Sequence, residues 1–114
     1  MTQIMTVYDS AVLVSFPFTT LNAGKKRPAV IVSRPSFQEA AHDVILAAIT
    51  SQPHHGPGDF ELERWKEAGL LKPSRVRLGK LLTVHEVLVL RTLSTLHPDD
   101  WNRARTEFHT VLAD

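Results

Sequence analysis

The chain has 114 residues, with 13 lysines and arginines against 12 aspartates and glutamates, and no cysteine. That length suits one domain, residues 1–114, with a core of its own, and the missing thiols exclude a disulfide framework, thiolate chemistry and cysteine-ligated zinc. A formal net charge of +1 is too small to hold a long nucleic acid by bulk charge, and no apolar run approaches the roughly 20 residues that cross a bilayer.

The N-terminus, MTQIMTVYDS, has no basic n-region and no long apolar stretch, so no signal peptide is predicted. The expectation is a soluble, cytoplasmic protein without a membrane partner. Ala11 to Phe16 (AVLVSF) reads as a strand, with Pro17 tolerated at its end. Residues 19–24 (TTLNAG) read as a loop. Pro28 to Ser33 (PAVIVS) reads as a second strand with the proline in its first position. Ser36 and Glu39 have capping-box spacing, which predicts a helical turn over 37–41. Asp43 to Thr50 (DVILAAIT) reads as a third strand, apolar enough to be central.

Residues 51–58 (SQPHHGPG) are a loop by their proline, glycine and histidine content. DFELE at 59–63 and RVRL at 75–78 alternate as half-wet strands do, and LVLRTL at 88–93 reads as a last strand. His97, Pro98, Asp99 and Asp100 make a good helix start. Trp101, Ala104, Phe108, Val111 and Leu112 then give that helix one apolar face. Short strands followed by one amphipathic helix predict a mainly β fold: a small β-barrel or strongly bent sheet with the helix packed on it.

Known catalytic signatures are absent. There is no GxSxG, phosphate-binding glycine loop or dinucleotide fingerprint. The histidines, His42, His54, His55, His85, His97 and His109, show no ligand spacing, so neither a metal nor a cofactor is expected. The cations of residues 1–60 gather instead in one stretch, Lys25, Lys26, Arg27 and Arg34, which fits a few phosphates better than a duplex track. Arg27 precedes the second strand, and Thr50, Ser51 and Gln52 end the third. Those three polar residues read either as ordinary turn-formers or as a small polar floor. If the two strands are antiparallel neighbours, a guanidinium meets a hydroxyl. Such a pair suits phosphate chemistry, because the guanidinium is a fixed charge whose fork matches phosphate oxygens. RNA carries its own nucleophile, the 2′-OH, so its cleavage needs alignment and charge stabilisation rather than a nucleophilic side chain.

Taken in order, FPF at 16–18, KRP at 26–28, AAITSQ at 47–52, GLLKPSRVRL at 69–78 and KLLT at 80–83 resemble the MazF/PemK family of toxin endoribonucleases. The resemblance runs from about Ala11 through the terminal helix. It implies an SH3-like barrel of short, mostly antiparallel strands with a C-terminal helix, acting as a homodimer. It implies metal-independent cleavage of single-stranded RNA, such as mRNA, at short motifs, leaving 2′,3′-cyclic phosphate and 5′-hydroxyl ends. It also implies a cognate antitoxin whose disordered tail folds across the site.

By motif, Arg27 and Thr50 fall on the family's catalytic arginine and threonine. Beside them, Lys25 and Lys26 are expected to hold neighbouring phosphates, Ser51 and Gln52 to read a base edge or support Thr50, and Phe18 to stack on a base. Phe16, Trp101 and Phe108 are assigned to packing. Asp9-Ser10 stands where relatives open with Gly-Asp, and Ser94 where a glycine is usual. Gyrase poisons share the barrel, so the alternatives are a non-catalytic toxin that binds a protein such as gyrase, or an inactive relative that binds only RNA or antitoxin.

Overall fold

The computed structural model describes residues 10–16, 25–53 and 55–112. In chain order they form β1 (Ser10–Phe16), β2 (Lys25–Ile31), α1 (Pro35–Ala41), β3 (Asp43–Thr50), β4 (Asp59–Glu61) and β5 (Arg75–His85). A short 3-10 turn (Glu86–Leu88), β6 (Val89–Thr95) and α2 (Pro98–Val111) follow. The strands join in one six-stranded sheet, β4-β5-β3-β2-β1-β6, and every pairing is antiparallel. The mainly β class and the C-terminal helix agree with expectation. The barrel does not close among the described residues: β4 and β6 are the sheet's two edges.

β2 and β3 lie in the middle of the sheet because their residues are apolar on both faces. Val30, Ala47 and Ile49 point into a core that also takes Ala11, Phe60, Val76, Leu78 and Ala104, with Trp101 and Phe108 of α2 packed on it. Ala29, Ile31, Val44 and Leu46 alternate with them into a second cluster on the other face, with Val12, Val14 and Val84. A strand buried on both sides reads as an unbroken apolar run, as DVILAAIT does, and β3 spans that run from Asp43 to Thr50.

Several boundaries depart from the sequence reading, β4 ending at Glu61 rather than 63 and β6 running from Val89 to Thr95 rather than over 88–93 among them. β2 begins at Lys25, not Pro28, because β1 pairs with it as far as Phe16 opposite Lys25. α1 begins at Pro35, with Arg34 as N-cap and no side-chain cap, so the Ser36–Glu39 capping box is not used. Proline's fixed φ starts the helix instead, and His42 ends it in a left-handed conformation at φ 59°. RVRL and KLLT belong to one strand, β5, whose register against β3 jumps from Ala48↔Arg77 to Ala47↔Leu81. The bulge at 78–80 bends the strand.

α2 starts as its sequence predicts. The His97 side chain accepts the Asp99 N–H, Pro98 opens the helix, and acids fill its first turn. One of them does more. Asp100 is buried and its carboxylate accepts the N–H groups of Glu63 (3.0 Å) and Arg64 (2.9 Å). That contact ties the turn after β4 to the base of α2.

Candidate functional site

The site is built where the pairing of β2 with β3 stops. The register runs Ile31↔Leu46, Val30↔Ala47 and Ala29↔Ala48, and the Val32 N–H donates to the Ile45 carbonyl at 2.9 Å. Antiparallel strands turn alternate backbone groups to each neighbour, so Val32, Val30 and Pro28 are the positions that face β3. Pro28 has no N–H to donate, and the pairing ends one residue short of it. Both strands continue, each held by its other neighbour: Arg27 lies opposite Val14 of β1, and Thr50 opposite Arg75 of β5.

Carried two residues further, the β2–β3 register sets Arg27 across from Thr50. Paired residues share a face, so both side chains lie on the face of Ala29, Ala48 and Ile31. Ala29 and Ala48 form the last paired rung, with a single methyl on each side chain. Arg27 is exposed and Thr50 half-buried. The Thr50 Oγ1 accepts the Gln52 N–H at 3.0 Å. That bond closes a local turn, fixes the hydroxyl's orientation and leaves its hydrogen to be donated outward.

The other expected site residues are placed less uniformly. Ser51 and Gln52 are exposed at the head of the loop, and Gln52 supports Thr50 through its backbone N–H rather than its side chain. Lys25 lies in β2, opposite Phe16. Lys26 is exposed but sits next to Arg27 in a strand, so alternation sends the two side chains to opposite faces. The three cations are therefore strand residues and not one turn. Phe18 lies outside the described residues.

Two arginines absent from the sequence reading are register partners of this strand end. Arg75 is the partner of Thr50 on β5, and Arg77 the partner of Ala48. Each meets an acid on β4: Arg75 Nη2 lies 2.6 Å from Glu61 Oε1, and Arg77 Nε 3.4 Å from Asp59 Oδ1. The signal that could have found them is the spacing of RVRL itself, which puts two cations on one face of a strand.

This fold is shared with solved structures of endoribonucleases and MazF toxins. A mycobacterial endoribonuclease solved with its cognate antitoxin superposes with a TM-score of 0.76 at 14% identity, covering 93% of each chain. MazF from Deinococcus radiodurans gives 0.77 at 16% identity, covering 98% of this chain and 100% of its own. The Mycobacterium tuberculosis toxin MazF-mt6 gives 0.71 at 17% identity, covering 90% and 94%. At such identities the likeness is one of fold. No curated protein matches the chain in sequence.

The family model of the PemK-like, MazF-like toxins of type II toxin-antitoxin systems matches residues 11–112, and the chain belongs to that family. Among the described residues, no helix is long and apolar enough to cross a membrane.

Proposed function

We propose that this toxin is a metal-independent, sequence-selective endoribonuclease that cleaves single-stranded RNA. What supports the reading is the antiparallel β2–β3 register, which ends on the alanine rung Ala29↔Ala48 and, extended two residues, would bring Arg27 opposite Thr50. In this reading the Arg27 guanidinium clamps the scissile phosphate and stabilises the charge that develops on its oxygens. Thr50, oriented by the Gln52 N–H, donates its hydroxyl hydrogen to the same phosphate and holds it in line. The substrate's 2′-oxygen forms a bond to phosphorus as the bond to the 5′-oxygen breaks. The 2′-hydroxyl loses a proton and the 5′-oxygen gains one, leaving a 2′,3′-cyclic phosphate and a 5′-hydroxyl.

Around this centre, Lys25 and Lys26 draw the RNA in by their charge, a role that does not need them on one face. Ser51 and Gln52 border the path where a base passes, and Phe18 stacks on a base. The protein works as a homodimer in the cytoplasm, where mRNA is available. Its control is a cognate antitoxin, as the mycobacterial endoribonuclease was solved with its own. An acidic segment that orders on binding suits the exposed Arg27.

The test is cleavage of a long mixed single-stranded RNA in EDTA, with new 5′ ends mapped by sequencing. Wild type is expected to leave 5′-hydroxyl ends at one short motif, and folded Arg27→Ala to leave none. Full cleavage by folded Arg27→Ala would remove Arg27 from the mechanism. No cleavage by folded, antitoxin-free wild type would refute the nuclease reading.

A further inference from the structure

The two flanks of α2 differ. On the flank toward β4, Arg103 is neutralised by Glu107 at 2.9 Å and lies over the Phe60 ring. On the other flank, between α2 and the end of β2, is a groove of about 330 Å³. Its floor is apolar. Trp101, Ala104 and Phe108 follow one another at helical spacing and line it from the helix, and Val32 and Leu78 line it from the sheet. Both rings are half-buried: they pack on the core and still border the groove.

The rim is cationic. Arg34, Arg105 and His109 stand exposed around it, and among the described residues no acid lines it. Elsewhere acids neutralise the arginines: Arg64, Arg75, Arg77 and Arg103 each have one. Among the described residues, neither Arg34 nor Arg105 pairs with an acid. The same two arginines also line an open notch with Pro35 and Ser36, so they form a ridge between the apolar groove and water. Positive potential is thus concentrated at one point of a nearly neutral chain.

Position and charge select the occupant. Val30 packs toward α2 and Ala29 and Ile31 away from it, so the groove lies on the opposite face of the sheet from Arg27 and Thr50. RNA held at that pair has the sheet between it and the groove. A second copy docked symmetrically here would bring two such cationic rims together, and like charges in an interface cost affinity. An acidic segment with an apolar anchor satisfies both parts: the anchor enters the groove, and neighbouring carboxylates reach the forks of Arg34 and Arg105.

We propose that this groove docks a segment of the cognate antitoxin in which an aromatic or branched apolar side chain stands beside carboxylates. The inference rests on the reading that an antitoxin controls this toxin. It gives the partner two holds on opposite faces of the sheet. One crosses Arg27 and stops the chemistry, and the other, here, adds affinity without touching the RNA path.

The probe is the full-length antitoxin encoded beside this toxin, titrated into the full-length toxin. Arg34→Glu/Arg105→Glu reverses the rim at two exposed positions, with folding checked by circular dichroism. Antitoxin Kd should rise at least about 10-fold, from two lost attractions and the repulsion put in their place. Cleavage of RNA by the free double variant should match wild type. Location is read separately: toxin labelled with 15N has two indole N–H signals, from Trp65 and Trp101, told apart by Trp65→Phe. Unlabelled antitoxin should shift the Trp101 signal in wild type and in Arg27→Ala alike.

An antitoxin Kd that the reversal leaves within about twofold of wild type overturns the inference and leaves antitoxin control standing. A Trp101 signal that stays in place at saturation does the same. Equal loss of RNA binding would make the groove an RNA track, and a changed oligomeric state would make it a contact between copies; either result overturns the inference. A wild type that binds no antitoxin ends both readings.

Discussion

Replacing Thr50 by valine removes one oxygen and keeps the branched shape that β3 packs. The structure bounds the damage to stability. The hydroxyl makes one hydrogen bond, to the Gln52 N–H at 3.0 Å on an exposed turn, and such a bond contributes about 0.5–1.5 kcal/mol. Against a domain stability of about 5 kcal/mol, the low end of the usual range, the worst case leaves roughly 0.3% of the chains unfolded. Unfolding therefore cannot account for more than a trivial loss of activity. Removal of a donor aimed at charge that grows in the transition state costs about 100- to 1,000-fold in rate. Thr50→Val should then cleave RNA at least about 100-fold more slowly than wild type, with a urea midpoint barely moved. Thr50→Ser keeps the hydroxyl and should recover most of the rate. The assay is single-turnover cleavage of a fluorogenic RNA carrying the mapped motif, with denaturation curves on the same samples. Cleavage by Thr50→Val within about twofold of wild type would refute the role given to the hydroxyl, since the predicted loss is at least 100-fold. So would a serine variant as inactive as the valine one.

Two stability predictions test the frame around the site. Asp100→Ala strips the acceptor from the N–H groups of Glu63 and Arg64; two charge-assisted bonds amount to about 3–5 kcal/mol, and Tm should fall by at least about 10 °C. A fall under about 3 °C in differential scanning fluorimetry would mean that the buried carboxylate does not brace the turn. Gly69 has φ +85°, and a Cβ there would lie 3.0 Å from Leu93 Cβ and 3.1 Å from its carbonyl carbon. Gly69→Ala should cost roughly 2–3 kcal/mol by urea denaturation, from the left-handed backbone and the crowding together. Gly56→Ala, where the nearest atom is the end of the Asp59 side chain at 3.4 Å, is the control that should stay within about 0.5 kcal/mol.

What the chain discloses depends on how local the cause is. β3 was legible to the residue because burial on both faces leaves no polar position inside it, and α2 because His97, Pro98 and the two aspartates act within one turn. β2 was misplaced by three residues because β1 recruits Lys25 to Arg27 into the ladder, and no local signal says so. The sequence shows β5 only as far as Leu78, because its bulge shifts the period-two pattern between Leu78 and Leu81. The approach of Arg27 toward Thr50 in the extended register is legible in the sequence, since Arg27 lies near the start of β2 and Thr50 ends β3. The spacing of RVRL shows two cations on one face, but that Arg75 is the partner of Thr50 is a matter of register between strands about 25 residues apart, and a three-residue slip at the bulge decides it. Lys26 shows the converse: it adjoins Arg27 in the string, and strand alternation divides the two.

Pro28 connects the fold to the site. It stands where a regular ladder would place a donor toward β3, and the ladder stops there. With a residue that has an N–H, β2 and β3 could add another rung, and Arg27 and Thr50 would face each other across a regular sheet. Without it, the two strands are secured from outside, by β1 and β5, while the pair between them has no backbone bond drawing it shut. The same proline follows the arginine directly, so φ is restrained at the residue next to Arg27, and Arg27 itself is held in the extended region that a residue before proline adopts. A sheet interior supplies rigidity and usually forbids access. One missing donor in a central strand gives access at a single point, and the charged side chain stands at that point.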